Sequence, residues 1–289
     1  MKEQDCLRRF LFEELGVRGE WVRLQTSWQQ AKQYQQLSAG VQGQLGQALA
    51  AVVLLSATIK FDGAMILQAQ GDGDLKTLVA QATHDRKVRV LARGQTNSTA
   101  STLPEMMGKG RLVITVEPEE GEPYQGIVSL AGDTLADVIT AYFTQSEQLQ
   151  TRVWLFANET HVAGLFLQEL PAQESYEADW ERISILADTV TENEMLSLDC
   201  EEMLFRLFNE EKVRVFEREP VTFECGCSQK KIETALISLG RKELDAIFLE
   251  RDIIKVDCEF CGKQYGFDKV DVANLLSGLP IEPLSKTRH

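Results

Sequence analysis

Two tight cysteine pairs stand near the C-terminus, Cys225-Gly226-Cys227 and Cys258-Glu259-Phe260-Cys261, with residues 228–257 between them. Each pair can offer two thiolates from one short turn. Four such ligands suit zinc, which prefers a tetrahedral shell of sulfur or nitrogen donors. Gly262 follows the second pair and lets the backbone turn tightly under a metal. The expectation is one Zn(2+) per chain, held by Cys225, Cys227, Cys258 and Cys261. An iron–sulfur cluster also takes four cysteines and is the competing metal reading; four buried core thiols are the bland one. Four thiolates close the shell and leave no position for an activated water. His84, His161 and His289 are scattered and none lies beside the cysteines. A zinc hydrolase is therefore disfavoured, and no enzyme active site is expected.

Bringing the pairs together needs a small folded unit. The intervening sequence reads as helical through Ile232–Leu239 and Lys242–Leu249, then as a strand at Ile253–Val256. Pro220 closes the segment before it. That earlier segment is chemically distinct: residues 171–224 carry 5 basic and 15 acidic side chains, against 15 and 19 in residues 1–170 and 10 and 10 in residues 225–289. Most of the net charge of −14 thus sits in one stretch. Thr191-Glu192-Asn193-Glu194 has the form of a capping box. Beyond it Leu196, Cys200, Met203, Leu204, Leu207 and Phe208 fall on one face of an amphipathic helix, which needs an apolar surface to dock on.

Residues 1–170 read as a mixed domain. Val41–Thr58 predicts a buried helix, and Met65–Gln70, Val88–Ala92, Leu112–Val116 and Ile127–Leu130 predict strands. Thr134-Leu135-Ala136-Asp137 opens a helix through Tyr142-Phe143, and Val153–Ala157 with Val162–Leu167 forms a closing strand pair. Pro171 ends the domain. Strands in clusters, rather than in strict β-α-β alternation, favour an α+β fold class. The expected division is a core domain (1–172), an acidic helical linker (173–220) and a four-cysteine domain (221–289).

Several features carry less. Gly40 to Gly46 lacks the Gly-Lys-Ser/Thr ending of a phosphate loop and predicts close helix packing. Gly71-Asp72-Gly73-Asp74 predicts a hairpin turn, and Gly108-Lys109-Gly110-Arg111 a further turn. Cys6 and Cys200 read as buried or incidental thiols. The acidic balance counts against nucleic-acid binding. The apolar stretch Ala48 to Ile59 is short for a membrane span, and the polar N-terminus lacks the apolar core of a secretory signal. A cytoplasmic protein with no membrane partner is expected.

The two cysteine pairs, in Phe223-Glu224-Cys225-Gly226-Cys227-Ser228 and Cys258-Glu259-Phe260-Cys261-Gly262, resemble those of the redox-regulated heat-shock protein 33 family of bacterial holdase chaperones. Tyr142-Phe143-Thr144-Gln145-Ser146-Glu147-Gln148, Met107-Gly108-Lys109-Gly110-Arg111-Leu112 and Leu204-Phe205-Arg206-Leu207-Phe208-Asn209-Glu210-Glu211 add to the likeness, in the family's order. The resemblance implies a chaperone that is inactive when reduced and zinc-bound. Oxidation joins Cys225 to Cys227 and Cys258 to Cys261 in the family pattern, releases the metal and activates the protein. It also implies unfolded client proteins as partners and a homodimer when oxidised. The face of Leu196, Met203, Leu204, Leu207 and Phe208 is then expected to cover an apolar core surface while zinc is bound. Two other readings remain, a zinc-ribbon module binding nucleic acid or a protein partner, and a thiol–disulfide oxidoreductase using Cys258 and Cys261.

Overall fold

The structure is a computed structural model that describes residues 4–170 and 177–278. It divides into two compact units, the boundary falling after Glu224.

The first unit opens with an antiparallel pair, β1 (Cys6–Phe12) and β2 (Val17–Leu24), then α1 (Thr26–Lys32) and α2 (Ala39–Thr58). A meander follows, β3 (Gly63–Gly71), β4 (Leu75–Thr83) and β5 (Lys87–Gly94). Next come α3 (Leu103–Met107), β6 (Gly110–Pro118), β7 (Tyr124–Ser129) and α4 (Leu135–Tyr142), which runs into a π-helical turn at Phe143–Glu147. β8 (Thr151–Ala157) and β9 (Val162–Glu169) pair as the sequence predicts. Beyond them lie α5 (Glu177–Ala187), α6 (Glu192–Ser197), α7 (Cys200–Phe208) and three short strands, β10 (Val213–Val215), β11 (Glu219–Pro220) and β12 (Thr222–Phe223).

These strands build two sheets. The first runs β10-β1-β2-β9-β8, with β11 also paired to β1; the second runs β12-β5-β4-β3-β6-β7. Every pairing is antiparallel except β12 on β5. In the second sheet, Met65, Leu67 and Ala69, Leu78, Ala80 and Ala82, and Val88, Val90 and Ala92 all turn the same way, into a core that also receives α2. A strand covered on one face alternates in this manner. α2 is buried on nearly every side from Val41 to Ser56 and has no polar face. At 20 residues it is long and apolar enough to cross a membrane by length and composition, so the apolar run was underestimated from sequence. Its apolar window is 72% buried inside the protein, as befits a core helix. Gly46 lets it approach β8 and β9: a Cβ there would lie 2.6 Å from Val162 and 2.7 Å from Ala157. Gly71 to Asp74 forms the β3–β4 turn.

The first sheet is covered on both faces. Leu7, Val22, Leu24, Val153, Leu155, Val162 and Phe166 face the α2 core. Cys6, Phe10, Phe12, Val17, Trp21, Ala163, Leu165 and Leu167 face the other way, toward α5, α6 and α7. The capping box opens α6 as predicted, with Thr191 N donating to Glu194 Oε2 at 3.0 Å. The expected single amphipathic helix is instead two, because Leu198 and Asp199 are extended (ψ 152° and 159°) between them. The cause is distant in sequence. Arg23, buried on β2, donates to Leu198 O at 2.5 Å and to Asp199 Oδ1 at 3.0 Å, holding the break open. The predicted domain end at Pro171 lies outside the described residues.

The second unit comprises α8 (Gln229–Leu239), α9 (Arg241–Glu250), the hairpin β13 (Ile253–Asp257) and β14 (Gln264–Asp268), and α10 (Lys269–Ser277). Asp268 caps α10 by accepting from Val270 N and Asp271 N. Its core among the described residues is seven side chains, Leu236, Leu244, Phe248, Ile254, Tyr265, Phe267 and Val272.

Candidate metal centre

The second cysteine pair sits in the β13–β14 turn. Cys261 N and Gly262 N both point at Cys258 O, at 3.3 and 2.7 Å, and Cys258 N donates to Lys263 O at 2.9 Å. Gly262 has φ 66°, the left-handed conformation that glycine adopts without strain. The first pair precedes α8, whose N-cap Ser228 accepts from Lys231 N; Lys231 Nζ reaches back to Gly226 O at 2.8 Å. The two turns thus present their sulfurs to one point. The Sγ atoms of Cys225, Cys227, Cys258 and Cys261 all lie within 4.8 Å of one another. Cys225 and Cys258, and likewise Cys227 and Cys261, are 3.5 Å apart.

A tetrahedron of sulfurs about 2.3 Å from a central zinc has edges of roughly 3.8 Å, so this quartet fits one ion. The electrostatics point the same way. Burial, and then hydrogen bonds to the other sulfurs, push the Cys261 thiol up to about 12, and burial raises Cys225. Burial acts on Cys227 as well. Hydrogen bonds from Tyr265 and from the other thiols outweigh it and bring Cys227 down to about 7. Four thiolates at these distances would repel one another, and a cation at their centre would offset that repulsion. Tyr265 Oη donates to Cys227 Sγ at 3.2 Å. Sequence reasoning passed over this partner, since the hairpin register that aims it is invisible in residue types.

The linker residues are placed as follows. Met203, Leu204 and Phe208 are buried, Leu196 and Leu207 are partly buried, and all five pack on the outer face of the first sheet. Phe208 meets Phe12 edge-on, with centroids 4.9 Å apart. Cys6 and Cys200 are buried in the same cluster. Ile183, Ala187 and Met195 also belong to it and were not singled out from sequence. Arg8–Glu201 and Arg23–Asp199 ion pairs, each 3.0 Å, pin the layer from below.

Residues 219–224 run from this layer to the residue before Cys225. Arg86, at φ 63°, donates to Ser56 O and Glu219 Oε2 at 3.1 and 3.0 Å, and Arg9 pairs with Glu219 at 2.8 Å. Val221 is buried, donates to Asp5 O, and accepts from Ser27 Oγ at 3.0 Å. Beside this strap Glu20 is 2% exposed, and its Oε2 makes no hydrogen bond among the described residues. Burial pushes its carboxyl up to about 7 against the pull of Arg18, Arg9 and Arg86. At the π-helical turn, Tyr142 Oη donates to Glu147 Oε1 at 2.7 Å and Tyr142 packs under Gly126, a structural role for the Tyr142–Gln148 run.

Comparison with known proteins agrees with these features. The family model described as Hsp33 protein matches residues 5–268. The 33 kDa chaperonin of Nitrosococcus oceani is 54% identical over 289 residues, covering all of both chains. That of Pseudomonas aeruginosa is 42% identical over 297 aligned positions, again end to end. The solved structure of the Thermotoga maritima 33 kDa chaperonin superposes with a TM-score of 0.82 over 95% of this chain and 98% of that one. At 22% identity it speaks to the fold. With the family model spanning most of the sequence and the four sulfurs converged, the chain belongs to the Hsp33 family.

Proposed function

We propose that this chain is a cytoplasmic, non-enzymatic holdase, which binds unfolding proteins and is switched on when the four cysteines are oxidised and their zinc is lost. One observation carries this reading. The segment covering the apolar outer face of the first sheet runs to Val215, and only the short strap 216–224 separates it from the first cysteine of the metal centre.

Bound by the four thiolates, zinc would cross-link the turn before α8 to the β13–β14 turn, contributing on the order of 10–16 kcal/mol as in comparable small modules. Seven buried apolar side chains among the described residues would be too few to hold the unit without it. An oxidant such as peroxide takes two electrons from a thiolate pair. One S–S bond forms, the O–O bond breaks, and the two hydroxides released take up two protons from solvent to become water. A disulfide sulfur is a far poorer ligand, so the oxidised cysteines no longer retain a cation.

Which sulfurs pair decides the outcome. Links Cys225–Cys227 and Cys258–Cys261, the family pattern, close two small rings and leave the halves unjoined. A crossed link, Cys225 to Cys258, would keep them joined and the unit folded. Peptide mapping after peroxide should find the near-neighbour pairs. With the second unit unfolded, the strap 219–224 would be continuous with an unfolded chain and held by its own contacts alone; its peeling away with α5, α6 and α7 would open the face around Phe10, Phe12, Trp21 and Leu165 to clients. The acidic residues of the released segment keep the complex soluble. Homodimer formation in the oxidised state follows from the larger apolar area then exposed. Light scattering of an aggregating client, with reduced and with peroxide-treated protein, tests the switch. Equal suppression by both forms would reject it, and catalytic insulin reduction would favour the oxidoreductase reading.

A further inference from the structure

The segment that leaves does more than cover a face, because part of it is a strand. β10 and β11 both pair with β1, and β10 ends the sheet. The pairing is weak by construction. β10 is three residues long, β11 is two, and the register slips by one residue between them. Pro220 has no N–H to donate. Short, slipped edge strands are easily displaced. Their removal bares the edge of β1 from Cys6 to Phe12, beside the same apolar floor that α6 and α7 vacate.

We propose that this edge is where a client binds: an extended, alternately apolar segment of an unfolded polypeptide adds to β1 as an antiparallel strand in the place of Val213–Phe216. The inference rests on the chaperone reading above and names its binding mode. The chain's own segment shows what fits. Val213 and Val215 pack on the floor cluster while Arg214 lies between them, more exposed. Backbone hydrogen bonds supply affinity without regard to sequence, and the floor selects apolar side chains at every second position. An unfolded chain of any protein offers such stretches. Its ionic neighbours at this edge, Arg8 and Arg9, are held by Glu201 and Glu219 in the closed form, so release of the acidic segment leaves a basic rim around the edge.

The register supplies a test that separates backbone from side chain. Phe216 N donates to Arg9 O at 2.8 Å and Glu13 N to Lys212 O at 3.3 Å. By antiparallel alternation the Arg214 amide therefore also points at β1, whereas those of Val213 and Val215 point away. A peptide spanning residues 211–218 is offered to the oxidised, full-length protein in competition with a client. One version is N-methylated at positions 214 and 216, another at 213 and 215; side chains are identical. The edge mode predicts that the outward-methylated peptide competes, and that the inward-methylated one is weaker by about tenfold, as expected for losing two backbone hydrogen bonds. Amide exchange on the client complex is the second measurement: the Leu11 amide, opened by oxidation, becomes protected again when client binds. Equal competition by both peptides, with Leu11 still exchanging in the complex, overturns the edge mode. In that case client holding by the oxidised protein would persist; loss of holding altogether would instead remove the chaperone reading beneath it.

Discussion

Tyr265 is not one of the four cysteines, but its hydroxyl donates to Cys227 Sγ. Such a bond orients a ligand and spreads its charge, and losing one typically costs about 10–100-fold in metal affinity. Tyr265→Phe should therefore still bind one zinc, about tenfold more weakly in a chelator competition, and should release it sooner under peroxide. An unchanged affinity would make the contact incidental. Glu20 gives a prediction of a different kind. Its carboxyl is raised from 4.5 to about 7 by burial, so the folded protein holds this proton where the unfolded chain has lost it. Its contribution is full below pH 4.5 and falls away as pH rises through 7. Glu20→Gln, which cannot ionise, should be more stable than wild type at pH 8, on the order of 3 kcal/mol, and no better at pH 4.5. Urea midpoints at the two pH values check this; parallel shifts would show that Glu20 is not protonated in the fold. At this scale the four cysteines were legible because ligand type and spacing are local. Tyr265 and Glu20 were not, because burial and aim are set by strand register.

Among elements, the docked layer of α5, α6 and α7 is the most informative. Phe208 is 2% exposed and closes the edge of the cluster against Phe12. Phe208→Ala should cost about 3–5 kcal/mol of that packing. The expected result is a reduced protein with one zinc per chain that already binds an apolar dye and partly suppresses client aggregation. Wild-type dye binding with zinc intact would mean that this face does not guard the client surface. The sequence showed the face itself, because a polar-backed helix displays its period. It hid the break at Leu198 and Asp199, whose cause is Arg23 on β2, far away in the chain. β1 and β2 were also missed: a sheet covered on both sides has no alternation to read, and Arg8 and Arg9 interrupt β1. β4 escaped although it alternates, its small buried Ala80 and Ala82 giving a faint signal. The clean strands β3, β5 and β6 were found where alternation was strong.

Across the whole molecule, one unit's stability would depend on four sulfur–metal bonds and the other's on a large apolar core. Chelation should therefore divide them. With a strong chelator under reducing conditions, residues 225–278 should melt while α2 keeps its protection, and zinc should restore the original state. Neither the sequence nor a static fold displays this asymmetry directly. It follows from comparing seven buried side chains with a core that spans two sheets and α2.

Losing the metal should loosen the acidic segment while the two-sheet core stays intact. Amide hydrogen exchange, followed together with zinc release during peroxide treatment, reads both events in one sample. Exchange in residues 177–224 is expected to rise in step with zinc release, with α2 unchanged. Full zinc loss with residues 177–224 still protected would contradict it.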